Sequence, residues 1–259
     1  MSTVRMAVIG AGTAGVAGVA IFTQPALVER TDDGRTATAA EICLKGELSL
    51  FEDVTARCYS PSERRALLDR PVVNRQGERV TLTLAHPTDS SIASVECGTC
   101  RVYREKSFDG WYAISTRDMR REGYFERACG ALAALADAQS ADQSFFANGA
   151  PDEAEVAALA LTIRFGELTT SADELLVEKA SGNVWRITAG AYRLQLHEIA
   201  NADFDNDGVE EILAFTAGAP AEGTAAFYDL GLLEKDSADA ALTFTPLSYG
   251  RDRASGAAG

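Results

Sequence analysis

The chain has 259 residues, of which 46% are hydrophobic and 24% charged, a composition typical of a globular protein with one large or two small domains. Asp and Glu total 38 against 24 Lys and Arg, which gives a net charge of −14. Because phosphate recognition requires a cationic surface, this balance argues against nucleic-acid binding and against docking on anionic lipid.

The first thirty residues have the pattern of an export signal. A short basic head ends at Arg5, and the apolar run 6–22 contains no charge before Pro25. A basic start, an apolar middle and small residues after it are typical of a secretory signal peptide. We assign 1–28 to a signal peptide or an uncleaved N-terminal anchor, and expect an exported protein of the periplasm or cell envelope. Membrane contact is expected only through this segment.

The same segment allows a second interpretation, a dinucleotide-binding site. Gly10, Gly12 and Gly15 spell G-x-G-x-x-G directly after a short strand-like run, and such glycines let a pyrophosphate approach a helix N-terminus. However, Pro25 shortens the helix that would follow, and 31–40 lacks the apolar strand that this fold requires. The export signal is therefore the favoured interpretation.

All five cysteines lie beyond this segment, which suits an oxidising compartment. Two disulfides and one free thiol are expected among the candidates Cys43, Cys58, Cys97, Cys100 and Cys129. Cys43 and Cys58 lie close in sequence and make one typical pair. A second bridge would involve Cys97, Cys100 or Cys129, and the pairing stays open.

The C-x-x-C pair Cys97 and Cys100 suggests an alternative function, that of a thiol–disulfide oxidoreductase. Such enzymes place the motif at a helix N-terminus, which lowers the pKa of the thiol. Here β-branched and aromatic residues flank the motif and predict a strand or tight turn instead. A structural disulfide is therefore the favoured interpretation.

Residues 39–149 are predicted to form a mixed portion of helices and strands. Ser60 and Glu63 form a capping box around Pro61, which predicts a helix that ends near Arg70. Ser115 or Thr116 is expected to cap a long amphipathic helix over 118–137. Strands are predicted over 80–84, 95–103 and 111–114, the last two joined by a turn at 108–110.

The long helix carries a run of basic residues: Arg117, Arg120, Arg121 and Arg127. One hypothesis is that they bind an anion or an acidic partner. The favoured alternative is a solvated helix face, on which Asp118, Glu122 and Glu126 pair with them locally.

The polar, turn-rich segment 138–150 is the predicted boundary to a C-terminal portion, 150–250. A helix is predicted over 152–165, and a capping box at 171–174 predicts another helix that ends at Gly182. The apolar period then changes to two, which predicts an antiparallel meander. Its strands are expected at 184–188, 192–199, 212–216, 224–233 and 242–245. The tail 251–259 is predicted to be disordered.

These elements together predict an α+β fold. An N-terminal mixed portion tied by disulfides precedes helices and a small antiparallel sheet, and this sheet carries an acidic loop.

The acidic loop is the one motif with metal-binding chemistry. The sequence D-x-D-x-D-G-x-x-E comprises Asp203, Asp205, Asp207 and Glu211, with Gly208 permitting a sharp turn. Alternating carboxylates on a tight loop direct hard oxygen ligands at one point, which suits Ca²⁺. The alternative is an acidic β-turn that binds nothing.

The loop does not match an EF-hand, because the twelfth position counted from Asp203 is Ala214 rather than Glu. With a carboxylate at position nine and a strand after it, the motif resembles the calcium loop of the FG-GAP (integrin-propeller and VCBS-like) repeats. The resemblance covers about 194–215 in a single copy, so a propeller is not implied. It implies side-chain ligands at Asp203, Asp205, Asp207 and Glu211, and a backbone carbonyl ligand at Val209.

The expected function is a binding or structural role in an exported protein that Ca²⁺ stabilises, with a protein or envelope partner. Catalysis is not expected. The two histidines, His86 and His197, stand outside any known catalytic motif, and no Walker loop or nucleophile elbow is present.

Overall fold

The structure is a computed structural model that describes residues 41–162, 175–221 and 226–247. The predicted export segment 1–28, its glycine motif at 10–15 and the predicted tail 251–259 lie outside the described residues. Within the described ranges, no helix is long and apolar enough to span a membrane.

The fold combines helices with mainly antiparallel strands. The four α-helices of the described residues are α1 (Pro61–Leu67), α2 (Cys100–Phe108), α3 (Thr116–Asp137) and α4 (Glu153–Thr162). The strands are β1 (Ile42–Cys43), β2 (Cys58–Tyr59), β3 (Leu82–Ala85), β4 (Val95–Cys97), β5 (Tyr112–Ala113), β6 (Leu175–Ser181), β7 (Val184–Ala189), β8 (Tyr192–Ala202), β9 (Glu211–Pro220), β10 (Phe227–Glu234) and β11 (Thr243–Pro246). The mixed α+β class agrees with the prediction.

Both helix starts predicted for the N-terminal portion are confirmed. The Ser60 hydroxyl accepts the N–H of Glu63 at 3.4 Å, and the Glu63 carboxylate accepts the N–H of Ser60 at 2.8 Å. In α3 the Ser115 hydroxyl accepts the N–H of Asp118 at 3.0 Å. These caps satisfy N–H groups that have no partner within the helix, so each helix begins where its cap lies.

The region after β4 differs from the prediction. The strand over 95–103 ends at Cys97, and α2 begins at Cys100. Spacing by three puts Cys100 and Tyr103 on one buried face of α2, where the Tyr103 ring lies 5.6 Å from that of Phe125 on α3. Helix packing therefore overrides the strand preference of the β-branched residues. The expected hairpin is also wrong, since β4 and β5 lie on opposite sides of β3.

The C-terminal portion is a six-stranded antiparallel meander in the order β11-β10-β9-β8-β7-β6. Its last five strands lie where the alternating pattern predicts them. The predicted helix ending at Gly182 is wrong, because 175–181 form strand β6. Val177 of β6 is buried opposite Ile187 of β7, and this pairing outweighs the helix-start signal in 171–174, which lies outside the described residues.

Core residues pack against both faces of this sheet. Ile212 lies in a cluster with Val156 and Leu159 of α4, whereas its neighbour Leu213 lies in the cluster of the N-terminal portion. Successive residues of a strand point to opposite faces, so α4 and the N-terminal portion cover opposite sides of the sheet. The acidic loop joins β8 to β9 at one end of this sheet.

Candidate metal centre

The acidic loop joins β8, which ends at Ala202, to β9, which begins at Glu211. Two of its residues have left-handed backbone conformations, Asn206 with φ 68° and Gly208 with φ 88°. Asn and Gly tolerate this region better than other residues do, so the loop can fold back within eight residues. The first and last carboxylates of the motif thereby come to the same place.

The structure brings together the four carboxylate side chains that the motif predicts. One carboxylate oxygen from each of Asp203, Asp205, Asp207 and Glu211 lies within 4.8 Å of those of the other three. Asp203 and Glu211 are 4% and 3% exposed, whereas Asp205 and Asp207 are exposed to solvent. The group therefore has a buried base and an open side through which an ion can enter.

Backbone N–H groups of the loop hold these carboxylates in place. Asn206 and Gly208 donate to the two oxygens of Asp203, at 2.6 and 3.0 Å. The Phe204 N–H donates to Glu211 at 2.7 Å. Such hydrogen bonds orient the side chains before any ion binds, which reduces the entropy lost on binding.

The same loop orders the two exposed carboxylates. The Asp207 N–H donates to Asp205 at 3.1 Å, and the Val209 N–H donates to Asp207 at 2.7 Å. Val209, whose carbonyl the resemblance implies as a ligand, thus lies at the end of the loop. Its role as a ligand stays a prediction.

Burial and mutual repulsion shift the protonation of the site. Burial, together with the charges of Asp205, Asp207 and Asp203, raises the pKa of Glu211 to about 8. Partial burial and the neighbouring Asp207 and Asp203 also raise the pKa of Asp205. Concentrated negative charge is therefore costly in this loop, and a cation bound among the carboxylates would offset that cost.

The segment 138–150, predicted as a domain boundary, packs against the acidic loop. Gln139 and Asp203 exchange both backbone hydrogen bonds, at 2.8 and 3.0 Å, and the Gly208 carbonyl accepts from Asp142 and Gln143 at 2.9 and 3.1 Å. The Gln143 carbonyl in turn accepts the N–H of Glu210 at 2.7 Å. We call 139–143 the clasp. Its polar, turn-rich sequence carried no signal of this pairing.

A buried ion pair lies beside the acidic loop and was not predicted from the sequence. Glu198 of β8 is 1% exposed, and its carboxylate accepts from Lys45 at 2.5 Å and from the indole N–H of Trp185 at 2.8 Å. Lys45 also donates to the Gly149 carbonyl at 2.8 Å, which Asn201 contacts at the same distance. This network connects the N-terminal portion to β8 next to the acidic loop.

The cysteines form two disulfides, Cys43–Cys58 and Cys100–Cys129, and Cys97 is the free thiol. This agrees with the expected two bridges and one thiol. The C-x-x-C motif does lie at a helix N-terminus, since α2 begins at Cys100, but Cys97 and Cys100 are not bonded to each other. Burial also raises the pKa of the Cys97 thiol to about 11. This geometry does not favour thiol–disulfide exchange.

The chain was compared with family models, curated proteins and solved structures, and nothing matches it. The assignment of the acidic loop therefore rests on its own residues.

Proposed function

We propose that this is an exported protein whose C-terminal sheet binds Ca²⁺ in the acidic loop, and that the ion stabilises the fold for a binding or structural role. The observation that carries this proposal is the approach of four carboxylate oxygens to within 4.8 Å of one another. Without a cation, carboxylates at that separation repel each other.

The donor set favours calcium among the common metals. All four side chains of the group offer oxygen, and neither His nor Cys belongs to it. Ca²⁺ accepts six to eight oxygen ligands in flexible geometry, so four carboxylates, a backbone carbonyl such as that of Val209 and water suffice. Zn²⁺ prefers nitrogen and sulfur ligands, and Mg²⁺ demands a near-ideal octahedron. The likeness to the FG-GAP calcium loop agrees with this choice.

The compartment is consistent with a calcium site. Two disulfides suggest an oxidising, exported environment. Calcium sites of extracellular modules have dissociation constants of about 10⁻⁴–10⁻³ M. We expect an affinity in this range, because two of the four carboxylates are exposed to solvent.

The ion would stabilise more than its own loop. Asp203 and Gly208 belong to the acidic loop, and their backbone groups also hold the clasp. Fixing the loop therefore fixes the segment that leads from α3 towards α4. At a calcium concentration 100 times the dissociation constant, one bound ion adds about 2.7 kcal/mol to the free energy of unfolding.

Thermal unfolding of the oxidised protein, in EGTA and then in excess Ca²⁺, tests the proposal. We expect Ca²⁺ to raise the melting temperature by about 5–10 °C. Asp205→Ala combined with Asp207→Ala should abolish this rise. Both side chains are exposed, so the double variant is expected to fold.

Asp109→Ala combined with Asp229→Ala is the matched control. It removes the same charge from two exposed positions, one in the α2–β5 connection and one on β10 opposite Thr216, five residues along β9 from Glu211, and should keep the full response to Ca²⁺. If Ca²⁺ leaves the melting temperature of the unaltered protein unchanged, or shifts that of the Asp205/Asp207 variant equally, the proposal is wrong.

A further inference from the structure

One face of the six-stranded sheet is covered by the N-terminal portion only in part. Where β8–β10 pack against that portion, Ala200, Leu213 and Leu230 are buried. Further along the same face the side chains are exposed or half-buried. We call this the open face and define it by Arg186, Arg193, Gln195, His197, Phe215 and Tyr228.

Strand register places these side chains together. Arg186 of β7 lies opposite Gln195 of β8, and Gln195 lies opposite Ala217 of β9, which faces Tyr228 of β10. His197 lies opposite Phe215 in the next row. Residues that alternate with them, including Trp185, Ile187, Leu194 and Leu196, are buried in the cluster under α4.

The open face has a charge opposite to that of the whole protein. The chain carries −14, yet Arg186 and Arg193 lie exposed on this face. The guanidinium of Arg127 on α3 is 5.3 Å from the centre of the Tyr228 ring. In the cross-strand rows of the open face, the one carboxylate is that of Glu178, 3.5 Å from Arg186.

Of the four helix arginines, Arg127 is the one that contacts the open face among the described residues. Arg117 lies 3.9 Å from Asp118, and Arg121 donates to the Thr81 carbonyl at 2.8 Å. Arg127 instead points at the sheet and makes no ion pair within 4.0 Å to any described residue. It therefore adds a third cation beside the open face.

Several polar groups of the open face have spare hydrogen-bonding capacity. Among the described residues, the Arg193 guanidinium and the Tyr228 hydroxyl have no hydrogen-bond partner, and the Gln195 side chain meets only His197, at 3.2 Å. The backbone groups of β7–β10 are already paired with neighbouring strands on both sides. A ligand must therefore be recognised by side chains, through polar groups of its own.

We propose that the open face binds an acidic polysaccharide. Guanidinium groups match carboxylates in bidentate geometry, and amide, imidazole and phenol groups hydrogen-bond to sugar hydroxyls. The face spans β7–β10 over about 14 Å, which suits a chain laid across the strands. The inference rests on the proposed export of the protein, since an exported protein meets such polymers.

Isothermal titration of the oxidised protein with oligosaccharides of hyaluronate, alginate and polygalacturonate tests this proposal. We expect at least one of these probes to bind. Arg186→Gln combined with Arg193→Gln should weaken its affinity by about tenfold or more, because two guanidinium–carboxylate contacts are lost. Arg117→Gln combined with Arg120→Gln removes equal charge from exposed positions of α3 and should bind as the unaltered protein does.

Four outcomes would overturn the proposal: no binding of any of the three uronate probes, equal loss of affinity in the α3 control, equal affinity for neutral dextran, or equal affinity for a single-stranded oligonucleotide of matched charge. Both double variants change exposed side chains, and their melting temperatures show whether each is folded. None of the substituted residues lies in the acidic loop, so failure here leaves the calcium site untouched.

Discussion

The N-terminal portion and the C-terminal sheet are stabilised by different means. Strands β1–β5 are two to four residues long, and two disulfides cross-link this portion. Strands β7–β10 are six to eleven residues long, pair side by side in one sheet and contain no cysteine. Where few ladder hydrogen bonds form, covalent bridges and helix packing replace them.

This difference indicates which portion can carry function on its surface. A long, fully paired sheet keeps its shape without help from its exposed side chains, so those side chains are free to bind. Both proposed sites, the acidic loop and the open face, lie on the sheet. The N-terminal portion instead contributes core, the clasp and the Lys45 contact to Glu198.

Removing a disulfide should have the largest effect on stability, and it tests whether the N-terminal portion depends on its covalent bridges. Cys100 and Cys129 are 29 residues apart, and Cys100→Ala combined with Cys129→Ala should lower the free energy of unfolding by about 3–4 kcal/mol through unfolded-state entropy. Urea denaturation measures the loss. The Cys43 and Cys58 pair, 15 residues apart, should cost slightly less, about 3 kcal/mol. A loss below about 1 kcal/mol would mean that packing alone holds this portion.

The next effect concerns the ion pair that joins the two portions. Glu198→Gln keeps the shape but leaves the ammonium of Lys45 without a carboxylate, and we expect a loss of about 2–3 kcal/mol in urea denaturation. Glu178→Gln is the control, since Glu178 and Arg186 are both exposed and should contribute less than about 1 kcal/mol. Equal effects of the two substitutions would contradict the special role of the buried pair.

A smaller effect is expected at the turn of the acidic loop. Gly208 has φ 88°, and a Cβ there would meet the Asp142 carboxylate at an ordinary contact distance of 3.7 Å, so Gly208→Ala should cost about 1–2 kcal/mol through backbone strain and weaken calcium binding. Gly182→Ala, in the β6–β7 turn, meets neither a contact nor a left-handed backbone and should be close to neutral. Calorimetric unfolding with and without Ca²⁺ measures both. Unchanged calcium binding in the Gly208 variant would argue against a preformed loop.

The smallest effect is expected at Cys97. The side chain is fully buried, and its thiol has a pKa of about 11, so Ellman's reagent should find no reactive thiol in the native protein and one after denaturation. Cys97→Ala should cost about 1 kcal/mol, mainly from lost packing. Rapid labelling of the native protein would instead support the thiol–disulfide function.

Elements that depend on residues close in sequence were predicted well. Three examples are the capping box of Ser60 and Glu63, the alternation in β7–β10 and the clustering of Asp203 with Glu211. In each, the groups that act together lie within about eight residues of one another in the sequence. Propensity and turn geometry act over that range. The errors at α2 and β6 arose where local preference and tertiary packing disagreed, since Tyr103 packs on α3 and Val177 pairs with β7.

The sequence by itself therefore determined the mixed α+β class, the meander and the acidic loop, because each is encoded in patterns within a short stretch. Only the tertiary structure decided that Cys100 pairs with Cys129, and only it revealed the clasp and the contact between Lys45 and Glu198, which are 153 residues apart. The rows of the open face also depend on strand register. Such contacts follow from how whole elements pack, and no local pattern of residues specifies them.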